Sequence, residues 1–402
     1  MCAGCRPCCR CPMPDRDTSA PAQNFLPYGR QEIGDADIKA VVAALTSDWL
    51  TTGPRVAQFE KAFAGYCGAA HGVAVNSGTA ALHAAMRALN LGTGDEVVVP
   101  AITFAASANA AVYEGATPVF ADVEEGTLLI DPESVATLIT PKTRAIVAVD
   151  YAGQPADYAA LRMLAKERNI AIVADACHAP GATYMGCKVG TLADISCFSF
   201  HPVKHLTTCE GGMALTERAA YADHMRRFRN HGIDSDHRKR ETDGTFAYDM
   251  VELGYNYRLP DVQCALGLAQ LERLPLWVAR RRTVADWYEQ ALNGIAHVRP
   301  LRVHADRTHA YHLYVVRLDL AMLKIDRARA FAHLRGRGIG ANVHYAPVYW
   351  HSFYRDRGYA PGLCPVAEQR YREILTLPMF PAMSKADVER VADVLRELAE
   401  LS

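Results

Sequence analysis

The stretch SFHPVKHLTTCEGGM at residues 199–213 decides the interpretation of this chain, and it follows an apolar run that begins at Ile195. The apolar run predicts a buried β-strand, and the paired glycines predict a polar loop after it. Lys204 stands between them, where its amine can meet a small carbonyl compound and form a Schiff base. Such an amine needs an enclosed site or a neighbouring positive charge. The alternative is an ordinary solvated loop lysine.

Six short β-rich runs alternate with helical patterns between residues 25 and 215. The alternation predicts an α/β fold in which a mostly parallel sheet is covered by helices on both faces. Ligands of such sheets bind at the carboxyl ends of the strands, and Asp150, Asp175 and Ser199 stand at three of those ends. The predicted strands span residues 72–76, 96–99, 118–121, 145–150, 171–175 and 195–200.

The chain is expected to have more than one domain, because 402 residues exceed the usual size of a single small domain. Residues 1–23 are interpreted as a disordered tail, 24–270 as the large domain and 271–402 as a smaller α/β domain. In the small domain the pattern predicts strands at 312–318 and 341–345 and a helix at 328–337. A last helix is predicted to begin at Ser384, with Asp387 completing a variant of the capping box.

The composition is that of an ordinary globular protein, with 50% apolar and 22% charged residues. Because 43 basic residues balance 44 acidic ones, neither nucleic acid nor an anionic membrane surface is expected as a partner. No apolar run is long enough to span a bilayer, and the first twenty residues lack the apolar segment of a secretory signal. A cytoplasmic protein is therefore expected.

Five of the twelve cysteines are crowded into the first eleven residues, and the other seven stand singly. Single cysteines are typical of a cytoplasmic protein with free thiols. The spacing of Cys2, Cys5 and Cys8 resembles that of metal ligands, but no His or Cys partner follows within the range of a zinc finger. A tail that binds no metal, or a start site further along the chain, is therefore the preferred interpretation.

Ser77, Gly78 and Thr79 form a candidate phosphate site where a predicted strand turns into a helix. The glycine lets a phosphate approach the backbone, the helix N-terminus offers unpaired N–H groups, and the two hydroxyls add further donors. The alternative is that Ser77 or Thr79 only caps the helix. The chain contains neither the GxxxxGK nor the GxGxxG pattern, so nucleoside triphosphates and dinucleotides are not expected as ligands.

Asp175 is expected at a covered strand end, where an unpaired carboxylate is costly and requires a cationic partner. The ring nitrogen of pyridoxal 5'-phosphate is one such partner, and a structural salt bridge or a helix cap is the alternative. His178 could bond the ring hydroxyl or lie on a surface loop, and Phe104 could stack on the ring or belong to the core. A phosphate turn, a carboxylate, a hydroxyl and Lys204 at successive strand ends are together what a lysine-bound pyridoxal phosphate requires.

Several motifs resemble those of the DegT/DnrJ/EryC1/StrS sugar aminotransferases. They are SGTAAL at 77–82, Asp175 with His178 where many members carry glutamine, SFHPVK at 199–204, EGGM at 210–213 and GYNYR at 254–258. The resemblance covers residues 25–400. It implies a fold-type I transferase that depends on pyridoxal phosphate, with a large, mostly parallel seven-stranded sheet domain and a smaller C-terminal α/β domain.

The family resemblance also implies a role for each candidate residue. Lys204 would bind the cofactor covalently and carry the proton, and Asp175 would face the ring nitrogen. The enzyme would be a homodimer with shared active sites, because Asn256 would reach the phosphate from the partner subunit. The implied cofactor-binding residues are Ser77, Gly78, Thr79, Phe104, Asp175, His178, Ser199, Lys204 and Asn256.

Within that family, the stretches at residues 149–157, 177–179, 199–204 and 343–349 are most similar to the transaminase branch of pseudaminic acid biosynthesis. This similarity implies amino transfer from L-glutamate to C4 of a UDP-linked 2-acetamido-2,6-dideoxy-hexos-4-ulose. Arg258, His344, Tyr345 and the basic segment at 226–245 are candidates for substrate binding, and surface or packing roles are the alternative.

Three other functions are compatible with these patterns. The substrate could be another UDP- or dTDP-linked keto-sugar. Sugar 3-dehydratases share the scaffold, but a histidine replaces the lysine in such relatives, and Lys204 is present here. A non-catalytic regulator is disfavoured, because no part of the constellation is lost and no DNA-binding module is gained.

Overall fold

The structure, a computed structural model, describes residues 25–235, 240, 242 and 244–401. The predicted tail at 1–23, with its cysteine cluster, lies outside the described residues. Twelve strands occur in the described part of the chain. They are β1 (His71–Val75), β2 (Glu96–Pro100), β3 (Thr117–Ala121), β4 (Thr143–Val149), β5 (Ala171–Asp175), β6 (Thr183–Tyr184), β7 (Cys187–Lys188), β8 (Ile195–Ser199), β9 (Gly212–Thr216), β10 (Val298–Pro300), β11 (Tyr314–Leu318) and β12 (Ile374–Leu377).

A seven-stranded sheet forms the centre of the molecule, in the order β1-β9-β8-β5-β4-β2-β3. Six strands run in the same direction, and β9 runs against its neighbours β8 and β1. The carboxyl ends of the six strands therefore meet at one edge, as the sequence predicts. The six predicted strands all exist, with bounds that differ from the prediction by two residues at most.

Helices cover both faces of this sheet, because the strands bury side chains in both directions. Along β4, Val147 and Val149 belong to one hydrophobic core, and Ile146 and Ala148 belong to another. The helices of the described residues are α1 (Asp35–Leu45), α2 (Pro54–Cys67), α3 (Gly78–Ala88), α4 (Ala105–Tyr113), α5 (Pro132–Leu138), α6 (Tyr158–Lys166), α7 (Ala219–Phe228), α8 (Asp261–Leu292), α9 (Leu320–Leu323), α10 (Arg327–Gly336), α11 (Ser352–Arg355), α12 (Pro365–Glu373) and α13 (Lys385–Glu397).

A second, three-stranded sheet lies in the C-terminal part of the chain, in the order β10-β11-β12, and both of its pairings are antiparallel. It packs with α10 and α13 around a third hydrophobic core. The 32-residue helix α8 runs across residue 270, so the predicted boundary between 24–270 and 271–402 falls inside a helix. The division into those two domains stays a prediction.

The prediction of a strand at 341–345 is wrong. Asn342 forms one isolated bridge to Thr376 beside the small sheet, and Pro347 forms another to Ile102 beside the large sheet. The segment passes from one sheet to the other within five residues, so it cannot continue in either ladder. The capping box of the last helix is confirmed, because Ser384 and Asp387 bond each other's backbone N–H groups.

The basic segment at 226–245 begins inside a helix, because its first residues complete α7. Residues 236–239, 241 and 243 of that segment lie outside the described part of the chain. Among the described residues, no helix is both long and apolar enough to cross a membrane.

Candidate active site

Lys204 follows strand β8 and reaches a group of buried histidines. The backbone N–H of Lys204 donates to the carbonyl of His201, which turns the chain after the strand. The amine Nζ lies 3.4 Å from Nε2 of His312, which comes from the loop before β11. Burial lowers the pKa of Lys204, the charges of Cys177 and Asp175 oppose that shift, and the Arg281 guanidinium adds to it.

Asp175 lies at the end of β5 and is buried. One carboxylate oxygen accepts a hydrogen bond of 2.6 Å from the Ser107 hydroxyl, and the other accepts one of 3.3 Å from the backbone N–H of Cys177. No basic side chain of the described residues forms an ion pair with it. The alternative of a structural salt bridge is therefore not met, and the carboxylate is held by neutral donors that keep it available to a cationic ligand.

The phosphate turn is built from three strands that lie side by side. Ser77 caps α3, because its hydroxyl accepts a hydrogen bond of 3.0 Å from the N–H of Ala80, and this confirms the capping alternative for Ser77. A Cβ on Gly78 would stand 2.8 Å from Cβ of Ser199, and one on Gly212 would stand 2.3 Å from the carbonyl oxygen of Ser77. Both glycines are therefore required for the close approach of β1, β8 and β9.

Thr79 is the second residue of α3, and its side chain is half-buried beside this turn. The N-terminus of α3 consequently points its free N–H groups to the same place as the Thr79 and Ser199 hydroxyls. This arrangement is suited to a phosphate group, whereas the cap formed by Ser77 satisfies only one of the N–H groups.

Phe104 is not part of the core, because 59% of it is exposed. It precedes α4 at the end of β2, and its ring lies 6.0 Å from the ring of Tyr345. The Tyr345 hydroxyl lies 3.4 Å from Nε2 of His178. The alternatives of a core phenylalanine and of a surface histidine are therefore wrong, since His178 is buried and Phe104 is not.

The histidines around Lys204 are held neutral. His178 and His312 pack ring against ring at 4.4 Å, and His205 lies 5.7 Å from His312. Burial holds the pKa of each of these three well below its ordinary value, and the positive charge of Lys204 adds to the effect. A neutral imidazole keeps one nitrogen as a hydrogen-bond acceptor, so these side chains can accept hydrogen bonds from a ligand.

His344 turns away from the other candidates. Its Nδ1 lies 2.9 Å from the Thr376 hydroxyl, and its backbone carbonyl accepts a hydrogen bond from the Tyr151 hydroxyl. Burial, followed by the charge of Lys204, lowers the pKa of His344 to about 4. The packing alternative is therefore favoured for the His344 side chain, which supports the loop that presents Tyr345.

The backbone of Asn256 lies beside Asn76, which precedes the phosphate turn, whereas Arg258 lines a cavity whose described lining includes no residue of that turn. The carbonyl of Asn256 accepts a hydrogen bond of 3.4 Å from the Asn76 amide, and its own side chain is exposed. Arg258 donates to the Asn230 amide oxygen at 2.9 Å and lines a cavity of about 790 Å³. Further arginines line that cavity: Arg226, Arg227, Arg229 and Arg240.

Three residues of the site are not predicted from the sequence. Ser107 bonds Asp175, and the one signal for it is a hydroxyl one turn into an alanine-rich helix. His312 contacts Lys204, and it is the last of three histidines between 304 and 312. Arg281 is fully buried in α8, and no pattern in the sequence distinguishes it from the arginines on either side.

The residues present fit pyridoxal phosphate. The turn at Gly78 has no room for a side chain, as close contact with a phosphate requires. Nδ1 of His178 is buried and has no hydrogen-bond partner among the described residues, so it can serve a polar group of a ligand. No cluster of potential metal ligands occurs in the part of the chain that the structure describes.

Residues 31–396 match the DegT/DnrJ/EryC1/StrS aminotransferase family. The chain belongs to this family. It is 39% identical over 380 residues to the spore coat polysaccharide biosynthesis protein SpsC of Bacillus subtilis. The matched region covers 94% of this chain and 98% of that protein.

Solved structures agree with this assignment. The putative sugar aminotransferase Spr1654 of Streptococcus pneumoniae in its PMP form has 32% identity and a TM-score of 0.88, over 94% of this chain and 99% of that one. PseC of Helicobacter pylori, an aminotransferase involved in the biosynthesis of pseudoaminic acid, has 31% identity and a TM-score of 0.88, over 94% and 100%. The chain is therefore a sugar aminotransferase that depends on pyridoxal phosphate, and the predicted fold class is confirmed.

Proposed function

We propose that this enzyme transfers the amino group of L-glutamate to C4 of a UDP-linked 2-acetamido-2,6-dideoxy-hexos-4-ulose in pseudaminic acid biosynthesis. The observation that carries the amino-transfer chemistry is the Lys204 amine at 3.4 Å from a neutral, buried His312. The choice of sugar is supported by the similarity to PseC, which extends over the whole of that chain, and by the motifs of the sequence.

We assign the cofactor contacts by position. Asp175, held by neutral donors, would pair with the ring nitrogen, and His178 would serve the ring hydroxyl through its unpartnered Nδ1. Phe104 would cover one face of the ring. The phosphate would lie among Ser77, Gly78, Thr79 and Ser199.

Lys204 would hold the cofactor and, once displaced by the amino donor, move a proton. Burial favours its neutral amine, which can take the proton from the α-carbon of glutamate and return it at a different carbon. The bound pyridoxal phosphate supplies the electron sink that makes this carbon acidic. The buried histidines exclude water and keep the amine in place.

Tyr345 and the arginine-rich cavity are the proposed sugar-nucleotide contacts. Tyr345 contacts both Phe104 and His178, and a sugar bound beside these two residues would therefore contact its ring. Arg258 stands in a cavity with several further arginines, which suits a diphosphate. His344 would contribute through its backbone by fixing Tyr345.

We further propose a homodimer with shared active sites. The Asn256 side chain is exposed, and apolar residues precede it that are unusual at a free surface, namely Phe246 at 94%, Met250 at 60% and Leu253 at 72% exposed. A second copy that covers this segment would receive Asn256 at its phosphate turn. A cytoplasmic location is proposed because the seven cysteines of the described residues are free thiols.

The substrate proposal is tested by incubating the enzyme with L-glutamate and a panel of UDP- and dTDP-linked 4-keto-sugars. The UDP-linked 2-acetamido-2,6-dideoxy sugar should be converted with the highest kcat/KM, and NMR of the product should place the amine at C4. Lys204→Ala should abolish both transfer and the visible absorbance of the lysine-bound cofactor. A clear preference for a dTDP-linked sugar would disprove this choice of substrate.

The shared site is tested by mixing two inactive variants. Lys204→Ala lacks the amine, and Asn256→Asp places a negative charge next to the phosphate. If Asn256 serves the partner's site, a mixed dimer contains one site with both residues intact, so co-expression of the two should restore part of the activity. Absence of restoration, with mixed dimers demonstrated by two affinity tags, would rule out a shared site.

A further inference from the structure

Arg281 is a buried cation close to Lys204. Both residues line a small cavity between helix α8 and the loop after β8. Arg281 is 1% exposed. Glu32 lines the same cavity, but no carboxylate of the described residues forms an ion pair with Arg281. Burial lowers its pKa to about 10. A buried charge without a counter-charge destabilises the fold, so its presence calls for a functional explanation.

The hydrogen bonds of the Arg281 guanidinium all go to backbone carbonyl groups. Its guanidinium donates to the carbonyls of Tyr311 and Met379 at 3.0 Å each, and to that of His312 at 3.4 Å. The loop that precedes β11 is therefore attached to α8 through the backbone carbonyls of Tyr311 and His312. This attachment restrains the backbone that carries the imidazole of His312.

Several neighbouring groups oppose the protonation of His312. These are Lys204, His178 and His205, with Arg281 behind the loop, and after burial their charges hold its pKa well below the ordinary value. This lowered pKa favours the neutral imidazole, which presents one acceptor nitrogen. Nε2 stands 3.4 Å from the amine, whereas Nδ1 has no partner among the described residues.

We propose that Arg281 and His312 form a positioning pair for Lys204. Arg281 fixes the loop, and His312 accepts a hydrogen bond from the free amine, so that the lone pair of the amine points to the substrate. The guanidinium also opposes a second positive charge in the same cavity, which keeps the amine ready to accept a proton. This inference rests on the proposed role of Lys204 as the proton carrier.

The first test compares two replacements of His312 in the reaction of the holoenzyme with glutamate alone. His312→Phe removes the acceptor and should slow the single-turnover spectral change by about tenfold, the effect of one hydrogen bond to a charged or reacting group. The glutamate concentration at half saturation should not change. His312→Gln retains an acceptor and should recover part of the rate.

The second test measures how easily the amine is protonated. The enzyme is converted to its pyridoxamine-phosphate form, in which Lys204 is free, and acylation of Lys204 is followed against pH by peptide mass spectrometry. Arg281→Met removes a like charge, so the midpoint should move to higher pH. Arg280→Met is the matched control, since Arg280 also donates to two backbone carbonyls, those of Pro381 and Met383, and stacks on Trp287.

The positioning pair is refuted if His312→Phe reacts at the wild-type rate, or if Arg280→Met moves the midpoint as far as Arg281→Met. If Arg281→Met does not fold, the His312 variants alone decide. These tests use glutamate only, so a wrong choice of sugar leaves them unaffected. A Lys204→Ala enzyme that retains the visible absorbance would instead refute the role of Lys204 itself.

Discussion

The active site has two halves that are held in different ways. The strand-end half, with Asp175, Gly78 and Ser199, is attached to buried strands whose backbone ladders fix its geometry. The C-terminal half, with His312 and Tyr345, comes from loops that side chains hold in place. We expect substitutions in the strand-end half to abolish amino transfer and substitutions in the C-terminal half to change its rate only moderately.

The largest effect is expected at Asp175. Asp175→Asn keeps the shape but removes the charge, and it should lower kcat by more than about 100-fold, since a fixed charge at the reacting group is among the strongest catalytic contributions. Ser107→Ala, which removes one of the two hydrogen bonds to that carboxylate, should cost about fivefold. Steady-state kinetics with glutamate checks both. Equal losses in the two variants would show that the charge itself is unimportant.

Asp150 tests how strongly the strand-end half is buried. Burial raises its pKa to about 7, Asp175 adds to the shift, and bonds from Ala156 and Tyr158 and the charge of Arg307 oppose it. The unfolded chain loses this proton near the ordinary pKa of 3.8, so the free energy of unfolding should fall as pH rises from there to about 7 and then level off.

Asp150→Asn removes this titration. The difference in free energy of unfolding between wild type and variant should change by on the order of 4 kcal/mol over that pH window, as urea unfolding at several pH values would show. Asp356→Asn, at an exposed position, serves as the control. A difference that does not vary with pH would contradict the burial argument.

Gly78 tests the close packing at the phosphate turn. Gly78→Ala places a methyl group 2.8 Å from Cβ of Ser199, so the turn must open, and the affinity for pyridoxal phosphate should fall by about tenfold or more. Gly65→Ala is the matched control, because its Cβ would meet no atom within 4 Å. Fluorescence titration of the apoenzyme measures the affinity, and wild-type binding by Gly78→Ala would refute the phosphate role.

The smallest effect is expected at Tyr345, in the C-terminal half. Tyr345→Phe keeps the ring beside Phe104 but loses the hydroxyl that faces His178. One neutral hydrogen bond is worth about 1 kcal/mol, so kcat/KM for the sugar should fall about fivefold. A loss as large as that of Asp175→Asn would show that substitutions in the two halves affect activity equally strongly.

The strand-end half could be predicted from the sequence because its residues follow regular, buried strands. The predicted strand at 171–175 coincides with β5, and the one at 195–200 ends one residue beyond β8. Once the strands are parallel, their ends must meet, and Asp175 and Lys204 then fall on the same edge of the sheet. Local patterns suffice where the backbone ladder supplies the long-range geometry.

The C-terminal half could not be predicted in the same way, because its geometry depends on contacts far apart in the chain. His312 reaches Lys204 across 108 positions, and Tyr345 reaches His178 across 167. The stretch at 341–345 has the composition of a strand, yet it passes between two sheets and joins neither ladder. Tertiary contacts override the local preference at such positions.

Helix α8 forms a second connection between the regions of the two sheets, in addition to the segment at 342–347. Asp261 at its start accepts N–H groups of Gly53 and Arg55, and Tyr288 near its end donates to the carbonyl of Pro378. A rod of about 48 Å is thus anchored beside both sheets. We therefore expect the two sheets to unfold together, so calorimetry of the holoenzyme should give one heat-absorption peak, and fragments cut at residue 270 should not fold alone.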